Sequence, residues 1–429
     1  MLIALVSFVL FLLLGMPVVF VLGLTGATAI VFGSDIPVTL ISERIFSGLN
    51  SFTIMAIPFF IFAGAIMEGG GLSRRIVDFA MALIGWVSGS LYLVAIVTAT
   101  ALAAISGSGS ADAAAVSSIM QPEFKRRKYD PDFAAALIAS SSSLAQIIPP
   151  SLLLVVVAAI SSQSTGALFI AGIVPGLLAA AGLLVMAYFH ARKAGGQYTE
   201  SHREFSFRHL LWTFWAALPA LFMPVIIVGG IVSGIFTATE AAAVAAFYSL
   251  LVGTLVYREL RFKQLHEAIL RTAILSAAVM LIIGAANVFA WLVAAEQIAA
   301  MLAEFILSFT DSQFVFLLMV NGLLLVVGMF MESIAALLIL MPIFMPIAID
   351  FGVHPIHFGV MFVFNLAIGM FTPPYGITLF VCSSIAERSV IQVARKILKP
   401  LLVMTTVLFA VTYFEEITLF LPKFYGLVK

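Results

Sequence analysis

The chain has 429 residues, of which 63% are hydrophobic and only 10% charged, and its 21 lysines and arginines balance its 21 aspartates and glutamates. Such a composition belongs to a polytopic helical membrane protein and gives no basis for a nucleic-acid partner. A single cysteine, Cys382, excludes an internal disulfide and a cysteine-rich metal site.

Basic residues cluster at 74–75, 125–128, 192–193, 203 with 208, 258–263 with 271, and 388–399, while Arg44, Lys423 and Lys429 lie elsewhere. The positive-inside rule places the six clusters in the cytoplasm. In chain order, residues 1–33 carry no charge and are interrupted at Gly15-Met16-Pro17. They read as two short helices or one long tilted helix, retained because there is neither a basic n-region nor a small-x-small cleavage site. Residues 35–50 read as an outer loop, 52–67 as an inward crossing, and 72–86, with Arg74, Arg75 and Asp78, as an interfacial helix.

The next stretch, Ile105-Ser106-Gly107-Ser108-Gly109-Ser110-Ala111-Asp112, lies between the apolar runs 91–104 and 113–120. One span needs about 20 apolar residues and two need about 40, and residues 91–122 fit neither. A re-entrant hairpin with its polar tip near mid-depth does fit, provided the tip is buried in protein or lines a wet cavity. Residues 133–159 cross next but contain four serines, 140–143, and then Gln146-Ile147-Ile148-Pro149-Pro150. A proline pair removes two backbone donors, so this helix is expected to break near its middle.

Residues 168–188 return to the cytoplasm, and 191–208 form the one long hydrophilic connection. The chain accordingly divides into a first repeat at 1–195, a cytoplasmic arm at 196–211 and a second repeat at 212–429. In the second repeat 212–232 and 241–256 cross, 257–271 is another charged arm, 272–295 crosses outward and 299–309 is interfacial. Residues 313–344 form a second hairpin around Gly328-Met329-Phe330-Met331-Glu332-Ser333. Residues 358–382 form a second broken helix around Gly369-Met370-Phe371-Thr372-Pro373-Pro374-Tyr375-Gly376, and 399–414 cross last.

Pro122, Pro131, Pro149 and Pro150 map onto Pro346, Pro355, Pro373 and Pro374 with one constant offset of 224, and Pro175 maps onto Pro400 with 225. The first hairpin is flanked by basic clusters and the second by Glu304, Asp311 and Asp350, so the two open to opposite faces. The expected fold is all-α and polytopic: an inverted-topology repeat with two re-entrant hairpins and two broken helices, as in many secondary transporters.

Helix N-termini suit an anion, and unwound carbonyls suit a hard cation. The hydroxyls of Ser106, Ser108, Ser110, Ser151 and Thr372 would complete such shells, which points to cation-coupled uptake of an organic anion, with no enzyme activity and no cofactor beyond the ion. Candidate substrate contacts are Ser108, Ser110, Asp112, Glu332, Thr372 and Pro373. Asp112 reads equally as a cap of the second hairpin helix or as a ligand contact, and Glu240 in Thr237-Ala238-Thr239-Glu240 as an N-terminal turn residue. A serine hydrolase at Ser108 or Ser110 is disfavoured because all six histidines fall in loops or helix ends, leaving no base at depth.

Ala56-Ile57-Pro58-Phe59-Phe60, the 106–112 tip, Ile148-Pro149-Pro150-Ser151, Thr237-Ala238-Thr239-Glu240 and above all the 369–376 break resemble the large membrane subunit of tripartite ATP-independent periplasmic (TRAP) transporters, over essentially the whole chain. The resemblance implies an elevator-type, sodium-coupled transporter in the bacterial inner membrane. It further implies a small four-helix membrane subunit, a periplasmic substrate-binding protein, and a small carboxylate such as a C4-dicarboxylate or sialic acid as cargo. Carried over by position, one sodium site would use Ser106, Ala145, Ile148 and Ser151, largely through backbone oxygens, and its repeat partner Gly328, Gly369, Thr372 and Tyr375. The chain departs from the pattern at Met331-Glu332, and at Ala145, which does not match Gly369. A stand-alone dicarboxylate symporter is the alternative, but its Ser-Asn-Thr tips are absent.

Overall fold

The computed structural model describes residues 2–33, 36–87, 89–193 and 205–428. Most of the arm expected at 196–211 therefore lies outside the described residues. Everything regular among the described residues is helical. Residues 2–33 form two helices, α1 (Leu2–Leu13) and α2 (Val18–Gly33), separated at the Gly-Met-Pro interruption. The outer loop expected at 35–50 is instead largely a helix, α3 (Thr39–Leu49). Its apolar face, with Ile45 and Leu49, packs on Gly284, and Arg44 lies over the Trp291 ring. An amphipathic face satisfied by one long neighbour stabilises a segment whose charges alone suggest a loop.

Helices α4 (Ala56–Gly69) and α5 (Leu72–Ile84) meet at a 67° bend, where Gly71 adopts a left-handed φ of 75°. The first hairpin is α6 (Ser90–Ser106) and α7 (Gly109–Arg126). The first broken helix is α8 (Pro131–Ser142), a 3-10 turn over Ser143–Gln146, and α9 (Leu152–Ser161). Then follow α10 (Thr165–Lys193), α11 (Phe207–Val232) and α12 (Ala238–Leu251), the last opened by a Thr237–Glu240 capping box as expected and closed by a π turn over Val252–Val256. The basic stretch that begins at 257 is continuous with the span after it, because α13 runs unbroken over Phe262–Ala295. No Gly or Pro interrupts 262–283, and the charges there are offset by Lys263–Glu267 and Arg271–Glu68 pairs.

After α14 (Ile298–Leu307) comes the second hairpin, α15 (Gln313–Phe330) and α16 (Ser333–Asp350), and the second broken helix, α17 (Pro355–Gly369) and α18 (Ile377–Ile385). The chain ends with α19 (Val390–Lys396), α20 (Leu398–Tyr413) and α21 (Glu416–Phe424), of which α19 and α21 were not expected. Their sharp bends to α18 and α20, 114° and 60°, keep each too short to register as a span.

Two layers result. In an outer frame α2, α3 and α4 pack on α13, α4 also on α12, and α11 on α5 and α12. In an inner body α6 and α7 pack on α8, and α7 also on α18; correspondingly α15 and α16 pack on α17, and α16 also on α9. Each hairpin thus rests on its own half's broken helix and borrows the far segment of the other's. The same chemistry starts the paired elements. Asp130 and His354, separated by the repeat offset of 224, cap α8 and α17 with Pro131 and Pro355 following. Ser108 and Glu332, likewise 224 apart, are the N-cap residues of α7 and α16. The fold is the inverted-repeat, hairpin-and-broken-helix architecture expected.

Candidate functional site

Two hairpin tips meet two helix breaks. At the first tip Gly107 has a φ of 61° and its missing side chain leaves room for the Pro150 carbonyl, while the start of α7 at Gly109 abuts the Ser142 carbonyl and the Met370 sulfur. At the second tip the Gly328 and Gly369 backbones touch, so a Cβ on Gly369 would fall 2.5 Å from the Gly328 carbonyl oxygen. The Tyr375 N–H donates to the Met329 carbonyl at 3.2 Å. The pairing crosses over as well: Gln146 of the first break donates through its Nε2 to Ser333 Oγ of the second tip at 3.1 Å and touches the Met370 sulfur of the second break. Gln146 and Met370 are themselves 224 residues apart.

Sequence reasoning missed Gln146 and Met370 as site residues. Their one available signal was that offset, which pairs them as repeat mates inside the two breaks.

A cavity of about 580 Å³ opens against the first tip. Of the residues singled out from the sequence, Ser106, Ser108, Ser110, Asp112 and Glu332 line it, and Thr372, Pro373 and Tyr375 do not. Ala145, Ile148 and Ser151 lie behind the tip at the first break, where the Ser151 hydroxyl donates to the Gln146 carbonyl and accepts from the Leu154 N–H. Gly328 and Gly369 are together at the second break, with Thr372 one turn on, its hydroxyl donating to the Ile368 carbonyl at 2.7 Å. The Tyr375 ring is largely exposed.

Asp112 does not cap α7. It accepts from the Ser106 hydroxyl at 2.6 Å, and that same hydroxyl accepts from the Ser108 N–H at 3.1 Å, so the acid holds the shape of the tip rather than the helix terminus. The N-cap position belongs to Ser108, whose extended backbone begins the helix without a side-chain bond. Glu332, by contrast, caps its helix by accepting from the Ala335 N–H at 3.1 Å.

The cavity is also lined by Glu68, Glu267 and Arg271, with Arg271 paired to Glu68 at 2.6 Å. A second cavity of about 550 Å³ lies between the frame, at Ser47, Ser51 and Asn287, and the body, at Ile160, Met341 and Met345. Helix α13 walls both, through residues 267–279 in the first and 283–294 in the second. His357 is the one fully buried histidine among the described residues, and its ring nitrogens are engaged by the Thr418 hydroxyl at 2.8 Å and the Thr412 carbonyl at 3.2 Å. It offers no base to the tip serines.

The family model described as tripartite ATP-independent periplasmic transporter, DctM component, matches residues 5–417. Among curated relatives, the C4-dicarboxylate TRAP transporter large permease protein DctM of Pseudomonas aeruginosa is 40% identical, over 95% of this chain and 94% of that protein. The isethionate TRAP transporter permease protein DctMQ of Oleidesulfovibrio alaskensis is also 40% identical, over 96% of this chain; the chain spans 65% of that longer protein, less than two thirds. Among solved structures, the Alcanivorax borkumensis YdaH transporter superimposes with a TM-score of 0.67 at 13% identity, covering 96% of this chain and 97% of that one, a likeness of fold.

Proposed function

Because the chain belongs to the DctM family, the large permeases of tripartite ATP-independent periplasmic transporters, multi-pass proteins of the bacterial inner membrane, we propose that it takes up a small organic acid in symport with sodium. The acid is handed over by a periplasmic binding protein, and a small membrane subunit completes the frame. The observation that carries the reading is the reciprocal seating of two glycine-rich tips on two helix breaks beside one cavity. The helix N-terminus at Ser108, which carries no side-chain cap, suits an anion, whereas that at Glu332 is capped by its own carboxylate, and the interrupted segments offer backbone oxygens for hard cations. In this reading one sodium is held by Ser106, Ala145, Ile148 and Ser151 and another by Gly328, Gly369, Thr372 and Tyr375. The acid lies against Ser108, Ser110, Asp112 and Glu332.

Alternating access of the elevator type suits the two cavities walled by α13, with the body sliding along that helix so that the tips meet first one cavity and then the other. Relatives named for C4-dicarboxylate and isethionate indicate small carboxylates or sulfonates as the cargo class. The energetics need no nucleotide. One net positive charge moving inward across about 100 mV supplies ~2.3 kcal/mol, enough for roughly fifty-fold accumulation before the sodium gradient is added. The test is uptake into proteoliposomes with candidate binding proteins supplied one at a time. Uptake that requires both inward sodium and one binding protein is expected; transport indifferent to sodium would reject the reading, and transport without any binding protein would replace it with a stand-alone symporter.

A further inference from the structure

Two residues related by the repeat touch each other. Gln146 of the first break and Met370 of the second are 224 positions apart, and the Gln146 Nε2 lies against the Met370 sulfur. A residue contacts its own repeat mate only beside the axis that relates the two halves, so the pseudo-two-fold passes between these side chains. Both are buried, and both line the first cavity.

Each of them also reaches the hairpin of the opposite half, and at equivalent places. Gln146 donates through Nε2 to Ser333 Oγ at 3.1 Å, and the Met370 sulfur lies 3.2 Å from where a Cβ on Gly109 would stand. Gly109 and Ser333 are again 224 apart, and they open α7 and α16 directly after the N-cap residues Ser108 and Glu332. The fold repeats this contact while the sequence makes its two copies unequal. One is a directional bond between a carboxamide and a hydroxyl; the other is a pliable thioether against a glycine.

The polar copy joins the two ion sites of the sodium-symport reading. Ala145 and Ile148, which hold one ion in that reading, flank Gln146 in the chain, and Ser333 belongs to the hairpin whose Gly328 packs on Gly369 at the other. We propose that Gln146 is a positioning residue that couples the two sodium sites: by holding Ser333, it makes the order of the second tip depend on whether the first break has closed around its ion. The coupling rests on the sodium-symport reading, deepens it, and adds no ligand to either site. Ordering one segment lowers the entropic cost of ordering the other, and linkage makes the effect mutual.

The test is equilibrium binding of radioactive sodium to the purified permease, without substrate, read as half-saturating concentration and Hill coefficient. Gln146→Met, which installs the residue of its repeat mate, and Ser333→Ala remove the bond from opposite ends, while Ser333→Thr keeps the hydroxyl. Losing the bond is expected to raise half-saturating sodium roughly two- to tenfold and to bring the Hill coefficient from above one toward about one, with Ser333→Thr retaining wild-type cooperativity. The double variant should bind no more weakly than the weaker single variant, since both changes delete the same bond. A packing role alone would lower the thermal midpoint and leave the Hill coefficient where it was. An unchanged Hill coefficient in whichever of Gln146→Met and Ser333→Ala folds overturns the coupling, and so do additive losses in the double variant. Wild type that binds sodium without cooperativity defeats the coupling alone, whereas wild type that binds no sodium defeats the symport reading with it.

Discussion

Gly369 has no room for a side chain, because a Cβ there would lie 2.5–2.7 Å from the carbonyl oxygen, carbonyl carbon and Cα of Gly328, none of which can yield without moving the hairpin. Gly369→Ala is therefore expected to destabilise the protein by roughly 1–3 kcal/mol, as overpacking does. Gly322→Ala, with nothing within 4 Å of its Cβ, is expected to be neutral. Thermal midpoints in detergent compare the two, and equal midpoints would count against the close approach of tip and break. Thr372 is a different case. Its hydroxyl proton goes to Ile368, leaving lone pairs free, so Thr372→Ala should leave expression intact and raise half-saturating sodium about tenfold. Sodium activation of uptake in vesicles reads this, and an unchanged curve removes Thr372 from the ion site. At this scale the sequence exposed the tip serines and Asp112 through their setting in apolar runs. Gln146 stayed hidden, since a single glutamine beside a proline pair looks like part of the break until its bonds to Ser333 and contact with Met370 are seen.

Among the elements, the turn between α7 and α8 is tied to the segment around α19 by two ion pairs, Asp132–Arg388 at 2.5 Å and Asp130–Lys396 at 2.9 Å. These pairs join the base of the first hairpin to the second half of the chain. Asp130 also caps α8, accepting from the Asp132 and Phe133 N–H groups. Partial burial alone would raise its pKa, but the Lys396 hydrogen bond and charge together with the two backbone donors outweigh it and hold the carboxyl below its usual range. A carboxylate with a depressed folded-state pKa stabilises above its unfolded value and loses that contribution as pH falls through the folded one. The clamp is thus complete at neutral pH and weakens below about pH 4. Asp130→Asn should flatten the fall of the thermal midpoint over that acid range, and Asp130→Ala should cost about 1 kcal/mol at neutral pH through the lost cap. An acid profile identical to wild type in Asp130→Asn would show that the pairing with Lys396 contributes nothing. None of this clamp was legible beforehand, because α19 is only seven residues and the paired residues lie more than 250 positions apart, 256 for Arg388 and Asp132.

For the whole molecule, the decisive relation is between frame and body. Gly64 of α4 approaches the first tip so closely that its Cβ would lie 3.7 Å from that of Ser106, a separation suited to a disulfide. With the native Cys382 replaced by alanine, oxidation of the pair Gly64→Cys and Ser106→Cys should stop uptake and reduction should restore it to the level of the single Ser106→Cys variant. Gly23→Cys with Ala285→Cys, whose Cβ atoms would be 3.5 Å apart within the frame, should cross-link without loss of uptake. Full transport with the tip cross-linked would exclude sliding of the body past α4. The layered arrangement behind this prediction could not be read along the chain, since α4 and α6 are both plain apolar helices, and which of them moves with which neighbour depends on packing.

Composition, charge clusters and the 224-residue proline offset by themselves determined a membrane fold of two inverted repeats with two hairpins and two breaks, because hydrocarbon restricts the backbone so strictly that a glycine-, serine- or proline-rich interruption of an apolar run stands out. Tertiary structure alone decided how the four special segments seat on one another, that Asp112 shapes its tip instead of capping a helix, and that residues 262–295 are one continuous wall. Those outcomes depend on contacts between residues far apart in the chain. An apolar sequence carries little information about such contacts, because nearly all of its side chains are equally content against protein or lipid.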